Sequence, residues 1–431
     1  MMTVTHLVPE LQALLGEHAD TLGKETHFLQ RQRCFSGATF AQTLVLGWLQ
    51  NPDATLSELA HMASALNVHV SPQALTQRFT PVCADFLKAL LLKACQLSVQ
   101  SDVSPAVFAR FSAVFVLDSS VVMLPKVLQD HWRGCGGSKG PNAGLKLHVG
   151  LDLCSGQLEL QLSDAASHDL SCDLAETPLP EGSLRLADLG YFDLDKLTAY
   201  DEQGVAWISR LKVGPIWWNT AGERVNLETL LAQTSETTLE LVGLLGKQKL
   251  PARLLAYRVS PEQVAERRLK LLENSRKKGR PVSAQRLALV EWTLLVTNAP
   301  DLSLTEAFEL HRVRWQIELL FKLWKQHGKV DEWRSQNPWR IVCETYAKLL
   351  GLLLQHWLFL GEFWADIRRS LVKAGRVIRR HALMIAYAFQ EPQALQAVLE
   401  KLQRTLLKGC QVNARRQKPA MWQTLQPTNI P

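Results

Sequence analysis

The chain has 431 residues, of which 47% are hydrophobic and 21% are charged, and its formal net charge is +7. This length is sufficient for two or three domains with buried cores. The sequence contains no uncharged apolar run of the roughly 18 residues that a membrane span needs, and it does not open with a secretory signal pattern. The eight cysteines include no C-x-x-C pair, which argues against a zinc site and a disulfide framework. We therefore expect a cytoplasmic protein with reduced thiols and no membrane partner.

Positive charge is concentrated toward the carboxyl terminus. Residues 301–431 contain 20 Lys or Arg against 11 Asp or Glu, whereas residues 1–100 contain 6 against 7. A basic region of this size indicates a polyanionic partner, most often nucleic acid. The alternative is a basic helical tail that only improves solubility.

The first 105 residues are expected to be helical. Thr55 and Glu58 have the spacing of a capping box, and apolar residues then recur at helical intervals. Ser71 followed by Pro72 predicts the start of a second helix, which is expected to run through "SPQALTQRFTPVCADFLKALLLKAC". Two short helices joined by a tight link are typical of a helix-turn-helix, but many helical domains share this pattern. Contact of this region with DNA therefore stays open.

The next part of the chain predicts a mixed α/β sheet. "SAVFVLDSSVVMLP" indicates a buried strand that ends at Asp118, and alternating residues around a Ser-Gly turn predict a hairpin with arms near 145–153 and 157–163. A further strand is expected to end at Asp188, followed by a helix to about residue 202 and the strand "VAWISRLK". Strands that alternate with helices favour an α/β fold.

Residues 212–300 interrupt this pattern. "TTLELVGLLG", "LPARLLAYRVS" and "LALVEWTLLVTN" predict three strands, with a charged helix and a loop between the last two. From residue 303 to near residue 409 the chain is expected to be helical again. The region 212–300 is therefore predicted to be a β-rich insertion.

One predicted helix, "HRVRWQIELLFKLWKQH" at 311–327, carries a single acid among cations and aromatic residues. At about 100° per residue, His311, Arg314, Glu318 and Lys325 form one polar stripe. The simplest interpretation is a solvated face with an Arg314–Glu318 pair worth roughly 0.3 kcal/mol. A functional role for Glu318 requires partners elsewhere in the chain.

Two aspartates offer such partners. Asp118 and Asp188 are each predicted at the end of a strand, where carboxylates usually cap a turn or a helix. If both converge with Glu318, the three carboxylates could hold Mg²⁺. Two such ions, about 4 Å apart, could activate a water or a 3′-hydroxyl for in-line phosphoryl transfer. Arg314 and Lys325 would then bind the phosphates of the strand being cut.

Three segments, taken in order, resemble the DDE transposases of bacterial insertion sequences, and most closely the insertion-sequence-four family. The signature Y-x2-R-x3-E-x6-K of that family is matched at Arg314, Glu318 and Lys325, with His311 in place of the tyrosine. The segments that carry the resemblance are "DSSVVMLP" at 118–125, "ADLGYFD" at 187–193 and "HRVRWQIELLFKLWK" at 311–325.

The resemblance implies an RNase-H-like catalytic core in which Asp118, Asp188 and Glu318 are the catalytic residues and metal ligands. It implies two Mg²⁺ ions, for which Mn²⁺ could substitute, and double-stranded DNA as the substrate, both as transposon ends and as target. It also implies a homodimer in the synaptic complex. His311, Arg314 and Lys325 would contact the DNA.

Family members that cut through a hairpin intermediate carry a β-rich insertion between the second aspartate and the glutamate, and hold a flipped base on a tryptophan of that insertion. Trp292 occupies the matching place, and Trp315 follows the signature arginine as in the family. Stacking of a base on an aromatic ring is worth about 1–3 kcal/mol. The alternative is that Trp292 is a core residue of its strand. Trp217 and Trp218 are weaker candidates for DNA contact.

We therefore predict a cut-and-paste DNA transposase that acts through a hairpin intermediate. The alternatives are a catalytically inactive, transposase-derived DNA-binding protein and a nuclease of the RNase H fold. His148 is expected to be a structural strand residue. The predicted organisation is a helical amino-terminal domain (1–105), the first part of the catalytic core (106–211), the β-rich insertion (212–300), the rest of the core (301–350) and a basic helical carboxyl-terminal region (351–431).

Overall fold

The computed structural model describes residues 4–414 except 31–33, 137–141, 213, 280, 283–285 and 288. The chain forms two compact units. The first contains the residues up to Arg110, Asp118–Leu174 and the residues from Gln316 onward. The second contains Phe111–Leu117 and Ala175–Trp315. Among the described residues, no helix has the length and apolar character required to cross a membrane.

Helices and strands are numbered here in chain order. The helices are α1 (Val4–Ala13), α2 (Ala19–Glu25), α3 (Gly37–Gln50), α4 (Leu56–Ala65), α5 (Pro72–Thr76), α6 (Pro81–Cys95), α7 (Leu194–Glu202), α8 (Leu227–Gln233), α9 (Pro261–Lys278), α10 (Leu304–Val313), α11 (Trp315–Lys322), α12 (Pro338–Trp357), α13 (Glu362–Ala365), α14 (Leu371–Ala388) and α15 (Pro392–Gly409). The strands are β1 (Val114–Leu124), β2 (Ala143–Asp152), β3 (Leu158–Asp164), β4 (Leu184–Ala187), β5 (Ala206–Arg210), β6 (Trp217–Trp218), β7 (Arg224–Val225), β8 (Thr238–Leu245), β9 (Leu250–Arg258) and β10 (Trp292–Thr297). Their order in the sheet is β3-β2-β1-β4-β5-β10-β9-β8-β6-β7, so the mixed α/β prediction is confirmed.

Helices from both ends of the chain share the core of the first unit. Helix α12 packs against α3 and α6, and α14 packs against α3 and α15. Almost every residue of α12 from Ile341 to Trp357 is buried. A helix that is buried on all sides in this way belongs in the middle of a bundle. The amino-terminal and carboxyl-terminal helices are therefore layers of one core.

The amino-terminal helices begin where the sequence predicts, with one correction. The predicted capping box of Thr55 and Glu58 is present at the start of α4, and Ser71 caps α5. The segment that follows does not form one helix. It breaks after Thr76, and α6 begins anew with Thr80 as the cap and Pro81 in the first turn. A proline has no amide hydrogen to donate to the preceding turn, so it starts a helix more readily than it continues one.

The hairpin of the first unit is confirmed. Strands β2 and β3 pair antiparallel from Leu145 opposite Asp164 to Leu151 opposite Leu158. Gly156 in the connecting turn has φ +71°, and a Cβ there would lie 2.5 Å from Leu360. Glycine is therefore required at this turn both for its backbone angle and for space.

The prediction that β1 ends at Asp118 was wrong. The strand continues to Leu124 and stops before Pro125. No glycine or proline follows Asp118, and the apolar residues after the two serines extend the strand until proline removes the next amide donor. Asp118 is therefore an interior residue of β1.

In the second unit, strand pairing changes from parallel to antiparallel across the sheet. β1 pairs parallel with β4 through Val114–Leu117 and Leu184–Ala187, and β4 pairs parallel with β5. β10 then pairs antiparallel with both β5 and β9. The strands predicted in residues 212–300 are thus present, although the last begins only at Trp292, after a 3₁₀ turn over Leu289–Glu291.

The predicted continuous helix over 311–327 is also corrected. Helix α10 ends at Val313, α11 spans Trp315–Lys322, and a π-helical turn spans Leu323–His327. Arg314 keeps helical backbone angles (φ −47°, ψ −32°) between the two α-helices. A π turn widens the helix by one residue. The spacing at 100° per residue therefore does not hold as far as Lys325.

Candidate active site

Asp118 lies in the middle of β1 with its carboxylate fixed from the adjacent residue. The backbone N–H of Ser119 donates a hydrogen bond to Oδ1 of Asp118 at 2.8 Å. The hydroxyl of Ser119 donates to Oδ1 of Asp169 at 2.9 Å. Asp169 begins a 3₁₀ turn over Asp169–Ser171. Asp169 thus holds the residue that follows Asp118.

Lys146 of β2 completes this network. Its ammonium group donates to Oδ1 of Asp169 at 3.1 Å and to the carbonyl oxygen of Ser167. The side chain of Lys146 is only 11% exposed, so the lysine needs the aspartate to offset the loss of water. A cation and an anion are therefore paired next to Asp118.

His148 lies two residues further along β2 and is buried. Its Nε2 lies 2.8 Å from the hydroxyl of Ser163 on β3. Burial lowers the pKa of His148, and the charge of Lys146 lowers it further. A buried imidazole with a cross-strand hydrogen bond is what the structural interpretation of His148 predicted.

Glu318 lies on α11 in the same unit as Asp118. The helix is linked to β1 through the π-helical turn, because Nζ of Lys325 donates to the carbonyl oxygen of Val121 at 2.8 Å. Val121 is three residues beyond Asp118 on β1. The same hydrogen bond places Lys325 against protein backbone, where sequence analysis had assigned it to a phosphate.

Asp188 lies in the second unit, directly after β4. Its side chain accepts no capping hydrogen bond from the 3₁₀ turn Leu189–Tyr191 that follows, so it does not have the usual structural role of an aspartate in this position. Ala206 of β5 is the register partner of Leu184, and continuing this register sets Arg210 level with Asp188. A carboxylate and a guanidinium therefore end neighbouring parallel strands.

His311 lies near both groups. Burial lowers its pKa to about 4, with further lowering by Arg210 and Arg314, while the charge of Asp188 opposes the shift. The imidazole is therefore neutral at neutral pH. A neutral imidazole can donate only one ring N–H to a phosphate.

The two candidate tryptophans differ in accessibility. Trp292 is 4% exposed, and the guanidinium of Arg258 lies 4.6 Å from its ring centroid. Arg258 also donates to the carbonyl oxygen of Thr234 at 2.6 Å. Trp315 is 57% exposed. The predicted role of Trp292 in base stacking stays a prediction, and it requires Arg258 to leave the ring face.

The donor set fits a hard divalent cation by its chemistry, since Asp118, Asp188 and Glu318 all offer carboxylate oxygens. Asp118 and Glu318 belong to the first unit and Asp188 to the second. In the part of the chain that the structure describes, no three His, Cys, Asp or Glu side chains are already grouped to hold a metal ion. Convergence of the three carboxylates therefore stays a prediction.

The comparison with known proteins identifies the class. Residues 109–354, which include Asp118, Asp188 and Glu318, match the family described as "Transposase DDE domain". The match covers more than half of the chain, and the chain belongs to this family of DDE transposases. It is therefore an enzyme, and membership of the family implies dependence on divalent metal ions.

Two relatives from Bacillus thuringiensis and one from Clostridium perfringens place it among the insertion-sequence transposases. The transposase for insertion sequence element IS231D of B. thuringiensis subsp. finitimus is 29% identical, with 97% of this chain and 92% of the relative covered. The transposase for IS231C of B. thuringiensis subsp. berliner is 31% identical, with 81% and 77% covered. The transposase for IS1151 of C. perfringens is 24% identical, with 77% and 76% covered. The resemblance to the DDE transposases of bacterial insertion sequences is thus confirmed, while membership of the insertion-sequence-four family stays a prediction.

Three residues next to the candidate carboxylates were not predicted from the sequence. Lys146 and His148 are two residues apart and therefore lie on the same face of β2. This pattern could have drawn attention to Lys146. Asp169 carries no local signal, because its partner Ser119 is 50 residues away in the chain. Arg210 ends a strand in the same manner as Asp188, but only the parallel register of β4 and β5 brings the two ends together.

Proposed function

We propose that this transposase cuts and joins the ends of an insertion element by Mg²⁺-dependent phosphoryl transfer, in a cut-and-paste pathway with a hairpin intermediate. Water would attack the phosphorus at the element end, and the bond from phosphorus to the 3′-oxygen would break. The freed 3′-hydroxyl would then attack the opposite strand and close a hairpin. After hydrolysis of the hairpin, the same hydroxyl would attack target DNA.

The observation that carries this proposal is the register of β1 and β4. Leu117 is the partner of Ala187 in the parallel pair, and the next residues are Asp118 and Asp188. Two aspartates that continue adjacent parallel strands at the same level favour a shared site. The hydrogen bond from Lys325 to Val121 supports the addition of Glu318 to that site, since it ties the segment after α11 to β1 close to Asp118.

The residues have distinct proposed roles. Asp118, Asp188 and Glu318 would hold two Mg²⁺ ions, which when bound activate the attacking oxygen and stabilise the leaving oxygen. Mn²⁺ could replace Mg²⁺. Arg314 would bind a phosphate as a charged fork, and His311 would donate a single hydrogen bond to it without adding charge. Lys325 would bind a phosphate only if it exchanged its bond to Val121 for one to DNA.

The hairpin step needs a base to leave the duplex stack. Unstacking costs a few kcal/mol, and stacking of the base on an indole ring could offset about 1–3 kcal/mol of that cost. We propose Trp292 and Trp315 for this role. Trp315 presents its ring to solvent, whereas Trp292 would act after displacement of Arg258.

We further propose that the core is RNase-H-like, formed by 106–211 and 301–350 and interrupted by the insertion 212–300. Membership of the insertion-sequence-four family is supported by Arg314, Glu318 and Lys325 at the signature spacing. The substrates would be double-stranded transposon ends and target DNA, bound by a homodimer in the bacterial cytoplasm.

The decisive experiment uses the full chain, Mg²⁺ and a duplex that carries the element's terminal inverted repeat with its flanking DNA. We expect nicking, then hairpins, then joining to target. Asp118→Asn, Asp188→Asn and Glu318→Gln should each abolish nicking and leave end binding intact, because each removes one metal ligand and little volume. Asp130→Asn, which changes an exposed acid, is the matched control and should cleave normally.

The rival functions give other results. End binding without any cleavage by the unmodified protein would indicate an inactive DNA-binding derivative. Nicking without hairpins or joining would indicate a plain nuclease. Full activity in any one of the three carboxylate variants would refute the assignment of that residue.

A further inference from the structure

Helix α14 is strongly basic. Between Leu371 and Ala388 it contains Lys373, Arg376, Arg379 and Arg380 and no acidic residue. Arg376 and Arg380 are exposed and lie one turn apart, and Arg379 is half-buried. A helix face with several cations and no acid repels itself unless an anion covers it.

Lys322 and His327 lie beside this helix and extend its basic character. α14 packs against the π-helical turn Leu323–His327, which follows α11 in the same unit. The pKa of His327 is lowered by burial and by the charges of Arg379, Arg376 and Lys322. The pKa of Arg379 is lowered by burial and by Arg376. Burial is the larger cause of both shifts, and the neighbouring positive charges act in the same direction.

Among the residues that the structure describes, no acidic side chain pairs with this cluster. In the region that the structure describes, none of Lys322, His327, Arg376, Arg379 and Arg380 forms an ion pair or a side-chain hydrogen bond. Other cations of the first unit do pair, as Lys329 does with Asp53 at 2.6 Å and Arg368 with Asp366 at 3.1 Å. The contrast separates these five residues, called here the α14 basic face, from ordinary surface charge.

We propose that the α14 basic face binds consecutive backbone phosphates of the DNA end beside the site of cleavage. The proposal rests on the proposed function and adds to it the surface along which the duplex lies. Lys322 is four residues after Glu318 on α11, about 6 Å along the helix axis. A strand whose cleaved phosphate lies at Glu318 would therefore pass Lys322 first and α14 next.

A polyanion of regular spacing suits this surface better than a single phosphate or an acidic peptide. Arg376 and Arg380 lie on one exposed line of the helix, and the line continues through the exposed side chains of Met384 and Tyr387. Cations spaced along a helix match a row of phosphates, and contacts of this kind carry no base specificity. The affinity they supply should depend steeply on salt.

The experiment compares the full chain with Arg376→Gln/Arg380→Gln. Both residues are exposed, so the double variant should fold normally. Binding to an end duplex and to a random duplex of equal length is measured in EDTA from 50 to 200 mM salt, so that no cleavage occurs. The slope of log affinity against log salt should fall by about 1.8, and affinity at 0.1 M salt should drop at least about ten-fold for both duplexes.

Arg404→Gln is the matched control, since Arg404 is an exposed arginine on α15. It should leave the slope unchanged. A normal slope in the double variant would overturn the inference while leaving the proposed function intact. A loss confined to the end duplex would overturn it as well, because it would indicate base contacts. An unmodified protein without DNA affinity would overturn the proposed function itself.

Discussion

Ser119, the residue after the candidate catalytic Asp118, donates a hydrogen bond from its hydroxyl to Asp169 at 2.9 Å. Asp169 also accepts from the ammonium group of Lys146 at 3.1 Å. The pair fixes the backbone whose N–H binds the carboxylate of Asp118. Asp169 is therefore a positioning residue in our interpretation, and it acts on the metal ligand without being one.

The first prediction concerns Asp169. Asp169→Ala removes the acceptor for both Ser119 and Lys146, so Asp118 should lose its fixed orientation. We expect the Mg²⁺ concentration for half-maximal nicking to rise by about ten-fold, with end binding unchanged. Asp169→Asn keeps an acceptor for Ser119 and should show a smaller shift.

The control is Asp173→Ala. Asp173 lies in the next turn and accepts from Gln161 at 2.9 Å, without contact to the Ser119 pair. It should have the normal Mg²⁺ requirement. A variant at Asp169 that melts earlier but keeps the normal Mg²⁺ requirement would show that Asp169 only stabilises the fold.

The second prediction concerns Lys325. Loss of its hydrogen bond to Val121 should lower the free energy of unfolding by about 1 kcal/mol in Lys325→Ala. If Lys325 also binds a phosphate, the salt slope of end binding should fall by about one unit. Urea unfolding and the salt series measure the two effects separately. Lys126→Ala, at an exposed lysine after β1, should change neither quantity, and an unchanged slope in Lys325→Ala would leave Lys325 with a structural role alone.

The third prediction separates the two tryptophans. Trp292→Ala should lower the free energy of unfolding by about 3–5 kcal/mol, because it removes a buried ring, whereas Trp315→Ala should leave it nearly unchanged. Each variant is tested for nicking and for hairpin closure. If a tryptophan holds the flipped base, its replacement by alanine should leave nicking unchanged and slow hairpin closure about ten-fold or more. An abasic nucleotide should partly restore closure. Normal closure at a temperature where Trp292→Ala stays folded would assign Trp292 to the core.

The fourth prediction concerns acid stability. His356 is 1% exposed, its Nε2 lies 2.7 Å from the carbonyl oxygen of Gly156, and burial lowers its pKa to about 4. The unfolded chain takes up this proton near pH 6.5, so the stabilisation is complete above pH 6.5 and is lost as the pH falls toward 4. Because of His356, the free energy of unfolding should fall by about 2 kcal/mol between pH 7.5 and pH 5.

His356→Gln cannot take up that proton. It should be less stable than the unmodified protein at pH 7.5 and should lose less stability on acidification. His61→Gln, at an exposed histidine of α4, should follow the unmodified protein. Equal loss of stability in the unmodified protein and His356→Gln would contradict the assignment. The pKa of His311 is also lowered to about 4, so this histidine should cause a similar loss of stability on acidification.

Local patterns predicted the elements of this fold better than their ends. The hairpin β2–β3 and the cap at Thr55 depend on neighbours in sequence, and both are present. The continuation of β1 past Asp118 also has a local signal, because apolar residues follow the two serines and the first proline is Pro125. The break at Arg314 has no such local signal.

The candidate site shows the same division. The signature spacing located Glu318 and Lys325 because both lie within one short motif. It did not reveal that Lys325 lies in a π-helical turn after α11 or that Lys325 binds the backbone of Val121. Asp169 and Arg210 approach the candidate carboxylates only through long-range pairing, so only the structure identifies them.

The position of α12 has a consequence for synthesis of the protein. This helix packs between α3 and α6, yet about 240 residues separate the end of α6 from its start. At roughly 5–20 residues per second, the ribosome needs on the order of 10–50 s to produce it. Throughout that interval α3 and α6 have emerged from the ribosome, and their apolar faces cannot yet pack against α12. The nascent chain should therefore bind chaperones early, and truncation before residue 338 should yield aggregates instead of a folded amino-terminal fragment.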